Sequence, residues 1–100
     1  MTQEELTGAP EGQRIDKWLW CARVFRTREA AASFVEEQTV RLRRDRRAQR
    51  IVKPGFSLKT GDEIALLISG RPMVLRVRAF AARRGSAREA AALFELIDLS

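Results

Sequence analysis

The chain has 100 residues, 45% hydrophobic and 32% charged, and its 19 Lys and Arg outweigh 13 Asp and Glu to give a net charge of +6. That length and apolar fraction fit one domain with one core. One cysteine, Cys21, and no histidine exclude an internal disulfide and leave zinc without its usual ligands, so neither metal nor cofactor is expected.

Residues 1–13, MTQEELTGAPEGQ, are acidic and polar and read as a flexible leader without the apolar segment of a signal peptide. Residues 14–25 predict an amphipathic helix, because Ile15, Trp18, Leu19, Ala22 and Phe25 recur at helical spacing. Asp16, Lys17, Trp20 and Arg23 take the opposite side. Trp18 is then a core residue. Trp20 sits among charges, where it either stacks on a base or is covered by the tail around Phe94.

Thr27 offers an N-cap to a second helix, REAAASFVEEQ, with Ala31, Phe34 and Val35 facing inward. TVRLR then alternates Val40 and Leu42 with Arg41 and Arg43, the pattern of a half-buried strand with a cationic outer face. RDRRAQR is too charged for a core segment and reads as a loop. KTGDEIALLIS and RPMVLRVRAFA predict two strands joined by a hairpin turn at SGRP, the second alternating Leu75, Val77 and Ala79 with Arg76, Arg78 and Phe80. Ser86 and Glu89 stand at capping-box spacing for a short helix, and LFELIDL finishes as a strand. The fold class is α+β: an N-terminal helix pair packed on a small, mostly antiparallel sheet, with a short C-terminal helix and strand extension.

Charge is unevenly spread. Basic blocks at 14–28, 41–53 and 71–84 alternate with mildly acidic segments, and arginine dominates the cations. Arginine's planar fork suits bidentate phosphate contacts and stacks on bases, which favours nucleic acid over a membrane as the polyanionic partner. No apolar run approaches the roughly 20 residues of a membrane span. A cytoplasmic protein with no membrane partner is therefore expected.

The order RIDKWLW.AR, TR..A, VRL and KPG....K.GD.I resembles the S4-type RNA-binding domain. RIDKWLWCARVFRTREAA and the later ARRGSAREAAALFEL resemble its ribosome-associated heat-shock protein 15 group. The resemblance implies an S4-like fold over 14–68 and an extension, 69–100, packed on the same domain. It assigns RNA contact to Arg14, Lys17, Arg23, Thr27 and Arg28, with Arg41, Arg43, Arg44, Arg46, Arg47 and Lys53 beside them. The implied partner is the ribosome, through large-subunit rRNA and a stalled peptidyl-tRNA. For Arg23 an intramolecular pair with Asp16 or Glu29 is the competing reading.

Two departures from that family stand out. Its usual Gly before the first strand and Asn-Gly turn after it are here EQTV and RRDRRAQR, which suggests a longer arginine-rich loop. Such a loop adds affinity without sequence readout. The family's long basic tail is also missing from a chain that stops at Ser100, so its role does not transfer.

A catalytic site is not expected. The sequence lacks His, Tyr and a Gly-rich phosphate loop, and Cys21 reads as a packed, inert thiol. A general structured-RNA or tRNA binder is the alternative. A DNA-binding helix-turn-helix fits less well, because the basic residues flank the second helix instead of lining it, so duplex DNA should bind weakly and non-specifically. No exposed apolar stripe points to self-association, and a monomer is expected.

Overall fold

The computed structural model describes residues 12–99. Its elements run β1 (Gly12–Arg14), α1 (Ile15–Cys21), α2 (Arg28–Glu37), β2 (Val40–Arg44), β3 (Arg47–Ile51), β4 (Ser57–Lys59), β5 (Glu63–Ile68), β6 (Arg71–Val77), α3 (Ala87–Ala91) and β7 (Phe94–Leu99). The main sheet has the order β3-β2-β5-β6-β7, with every neighbouring pair antiparallel, and β1 pairs with β4 in a separate two-stranded sheet. This is the expected α+β class.

One face of the main sheet is apolar because Val40, Leu42, Ile64, Leu66, Leu75 and Val77 fall on alternate positions of their strands. They form one buried cluster with Ile15, Trp18 and Leu19 of α1 and Ala31 and Val35 of α2. Trp18 is fully buried, donates its indole N–H to the Ala79 carbonyl at 3.0 Å, and meets the Phe94 ring edge-on at 6.5 Å. Truncating such a residue typically costs about 3–5 kcal/mol. The core reading of Trp18 holds.

The first helix is shorter than its pattern predicts. It stops at Cys21 because Arg23 adopts φ +64°, and the Arg23 and Val24 N–H groups turn back to the Trp20 and Leu19 carbonyls, each at 3.0 Å. This is a Schellman ending with arginine where glycine is usual. Phe25, expected on the helix stripe, lies past the helix end and packs on Phe34 at 5.0 Å. α2 begins where expected, with the Thr27 hydroxyl accepting from Ala30 N–H at 3.0 Å.

Residues 43–50 correct the sequence reading more sharply. They form a tight hairpin, not a loop. Arg44 pairs with Arg47 in register, leaving Asp45 and Arg46 as a two-residue turn with φ +53° and +66°. Two left-handed residues in succession match the twist of a hairpin. Ser69 and Gly70 make the same kind of turn between β5 and β6, as the SGRP motif predicts.

Three further boundaries move. Gly12 and Gln13 are strand residues, not leader; residues 1–11 lie outside the described part of the chain. β6 ends at Val77, so the alternation expected through residue 81 breaks: Phe80 turns inward and is buried, whereas Ala79 is only half-buried. From there residues 78–86 form a strap tied to β1 and α1: Gln13 Nε2 donates to the Ala81 carbonyl at 2.7 Å and Trp18 Nε1 to the Ala79 carbonyl at 3.0 Å. α3 then opens with the reciprocal Ser86–Glu89 capping box read from the sequence, and β7 follows it back into the sheet.

Candidate nucleic-acid interface

The first basic cluster is organised by a carboxylate. Asp16 was expected on the polar side of α1, yet it is buried. Arg14 donates to it twice, Nε to Oδ1 at 3.1 Å and Nη2 to Oδ2 at 3.0 Å, and the Lys17 backbone N–H adds a third bond at 2.7 Å. Arg28, the first residue of α2, reaches the same carboxylate with Nε at 3.8 Å. One buried acid thus links the starts of both helices. The side chains of Arg14 and Arg28 remain 55% and 41% exposed, so each keeps donors facing solvent. Hydrogen bonding to Asp16, reinforced by its charge, pushes the Arg14 pKa further up. With half-buried Lys17 alongside, cations outnumber the single acid.

Thr27 is exposed and caps the second helix, which leaves its hydroxyl proton free to donate. Its hydroxyl oxygen is engaged as the α2 cap, which sharpens the electropositive end of the helix next to Arg28.

The second cluster lies on the outer face of β2 and β3. Arg41 and Arg43 are exposed there, and register sets Arg41 directly opposite Arg50. Like charges in that relation repel and cost stability. Exposed Arg46 stands in the hairpin turn and exposed Lys53 follows β3, whereas Arg47, in register with Arg44, falls on the opposite face of the strand pair. Arg50 was missed as a site residue. Its signal was present, because the alternation that exposes Arg41 exposes Arg50 once the chain is folded back at Asp45 and Arg46. Across β5 to β7 the charges cancel: Glu63, which stands opposite Arg43 in register, bonds Arg76 at 2.9 Å, and Glu95 bonds Arg76 and Arg78, each at 3.2 Å.

Three expected contact residues are otherwise occupied. Arg44 falls on the Val40 and Leu42 side of β2, opposite the cationic face, and bonds buried Asp62 at 2.8 and 2.7 Å, with its guanidinium 5.4 Å from the centre of the Phe56 ring. Arg23 pairs with neither Asp16 nor Glu29; its Nη1 donates to the Gly85 carbonyl at 2.9 Å. Trp20 is half-buried beneath Arg84, whose guanidinium carbon lies 5.9 Å from the ring centre and whose Nε donates to the Trp20 carbonyl at 3.0 Å. The tail does cover Trp20, but through Arg84. Phe94 packs on Trp18 instead. Nothing in the local sequence announced Arg84, which comes from 64 positions away.

Cys21 is buried, and loss of solvent pushes its thiol pKa up despite neighbouring Lys17, Arg28 and Arg84. That environment suits packing better than nucleophilic chemistry.

These features define a small basic α+β domain with arginines at the helix starts, where two share one buried acid, and on the outer face of β2 and β3. No protein-family model matches the chain. A solved structure titled as the trimeric form of Vibrio cholerae Heat Shock Protein 15 superimposes with a TM-score of 0.73 at 31% identity, covering 87% of this chain and 83% of that one. A curated relative, the Heat shock protein 15 homolog of Haemophilus influenzae, is 31% identical over 88 residues, or 87% of this chain. The chain spans 63% of that relative's length. The chain belongs to the heat-shock protein 15 family.

Proposed function

We propose that this protein is a non-enzymatic RNA-binding protein that engages large-subunit rRNA on the ribosome, including particles that retain a stalled peptidyl-tRNA. The observation that carries the reading is the contrast between strands β5 to β7 and the β2–β3 pair. Arg76 and Arg78 are neutralised by Glu63 and Glu95, whereas Arg41 and Arg50 face each other across a strand pair. A fold that leaves such a repulsion in place is suited to a polyanion that relieves it. Arg14, Lys17 and Arg28 supply the second contact, and arginine forks at these positions read phosphate and shape more than base sequence. Membership of the heat-shock protein 15 family and the S4-like order of motifs support the same reading.

Crosslinking in cells followed by sequencing of the attached RNA tests it. Crosslinks concentrated on large-subunit rRNA are expected. Crosslinks scattered over messenger RNA would replace it with a general RNA chaperone. In vitro, structured rRNA should displace a labelled RNA probe far better than duplex DNA of equal length. A ribosomal partner makes the cytoplasm the site of action. The monomer expected from the sequence contrasts with the trimer in the Vibrio cholerae structure, and sedimentation equilibrium distinguishes the two states.

A further inference from the structure

Between the end of β3 and the turn that follows it lies a shallow concavity of about 400 Å³, lined by Arg50, Ile51, Val52, Lys53, Gly55 and Phe56. Its composition is unusual for so basic a surface. The floor and walls are apolar, Val52 is 52% exposed, and the two charged lining residues are both cations. We propose that this concavity receives one unpaired nucleobase of a bound RNA, with Arg50 and Lys53 holding the flanking phosphates. The inference rests on the RNA-binding reading and adds to it a preference for unpaired nucleotides.

Charge complementarity selects the occupant. A shallow apolar hollow with a cationic rim fits a flat, weakly polar body attached to an anionic backbone, which describes a nucleotide within a strand. The hollow is also held in shape. Phe56 N–H bonds the Lys53 carbonyl at 3.0 Å and closes the turn, while Ile15 and Asp16 N–H groups bond the Phe56 and Pro54 carbonyls at 2.8 and 3.2 Å. The Phe56 ring is contacted by Arg44, itself fixed on Asp62. Continuity with the first cluster is direct: a Cβ built on Gly55 would lie 3.6 Å from the Arg14 guanidinium carbon. A strand with one base in the hollow can therefore run its backbone onto Arg14 without a gap.

The test uses Val52→Ser, which alters an exposed wall and leaves the core intact, with two fluorescent probes: an RNA hairpin carrying an unpaired loop and a blunt RNA duplex of equal length. The variant should bind the hairpin about five-fold more weakly or worse, with the duplex affinity and the salt slope unchanged. Val52→Leu, which restores an apolar wall, should recover the hairpin affinity. Equal losses on both probes, or no loss on the hairpin, would overturn the assignment while leaving RNA binding intact. If the wild-type protein binds neither probe at low salt, the RNA-binding reading itself falls.

Discussion

The Arg44 guanidinium holds the carboxylate of Asp62 through two bonds of 2.8 and 2.7 Å, and Asp62 is only 2% exposed. Asp62 also accepts the Lys59 N–H at 2.8 Å, so the pair joins the hairpin strand β2 to the turn before β5. Arg44→Ala leaves that carboxylate buried without its cation, and the protein should lose about 2–4 kcal/mol of stability in a denaturant titration. The salt slope of RNA binding, measured where the variant is folded, should hardly change. A flattened slope would return Arg44 to the RNA interface.

Arg41 and Arg50 make the opposite prediction. Arg41→Glu converts a cross-strand repulsion into an attraction and should raise stability by about 0.5–1 kcal/mol. The same change should weaken RNA binding and reduce its salt dependence by about one to two counterions. Melting temperature and affinity should thus move in opposite directions. Parallel losses would mark Arg41 as a structural residue.

Asp16 supports a test in which two effects compete. Asp16→Asn raises the net charge, which by itself strengthens binding to any polyanion. It also releases Arg14 and Arg28 from their shared anchor. Affinity for structured RNA should fall about two- to ten-fold, while binding to an unstructured homopolymer should rise or stay level. A rise on both probes would show that the anchor contributes charge suppression alone.

For Trp20 the structure favours cover over stacking, since Arg84 lies on its ring and bonds its carbonyl. Trp20→Ala should lower stability by about 2–3 kcal/mol. RNA affinity of the folded variant should stay within about two-fold of wild type. Unchanged melting with a large loss of affinity would restore base stacking as its role.

What could be read directly from the residues was local. Thr27 before an alanine-rich run, Ser86 three residues before Glu89, and Ser69-Gly70 between alternating strands each announce an element through a side chain or a backbone freedom within four positions. The β2–β3 turn was illegible for the same reason in reverse. Asp45 and Arg46 take left-handed conformations without a glycine, and the register that enforces them comes from pairing along both strands. Arginine roles were harder still. A guanidinium on an alternating strand looks cationic and free, and only the fold shows that Arg44 has a buried acid 18 positions away while Arg41 faces another arginine. Tertiary partners separate structural from available charge.

Acid provides a further test at α3. The hydrogen bond from the Ser86 backbone N–H, with a further contribution from its side chain, holds the Glu89 carboxyl below its ordinary pKa. A depressed carboxyl stabilises the fold when ionised, so its contribution is complete above the normal glutamate range and disappears as pH falls through the folded-state value. Glu89→Gln should therefore melt earlier than wild type near neutrality, and the difference should close on acidification. A gap that persists into acid would mean that shape, not charge, makes the capping box.

The strap over residues 78–86 has a consequence for how the chain is made. Trp18, Trp20 and Gln13 each bond a partner between Ala79 and Arg84, Arg23 bonds Gly85, and Trp18 rests against Phe94. During synthesis α1 and α2 emerge well before the strap, so these contacts arrive late. Such long-range closure slows folding. Until then the Trp18 indole lacks both its hydrogen-bond acceptor and its aromatic neighbour, so a nascent chain halted before residue 79 would present an unfinished apolar surface. For this protein, the first helix is completed only by residues synthesised 61 and 64 positions after its two tryptophans.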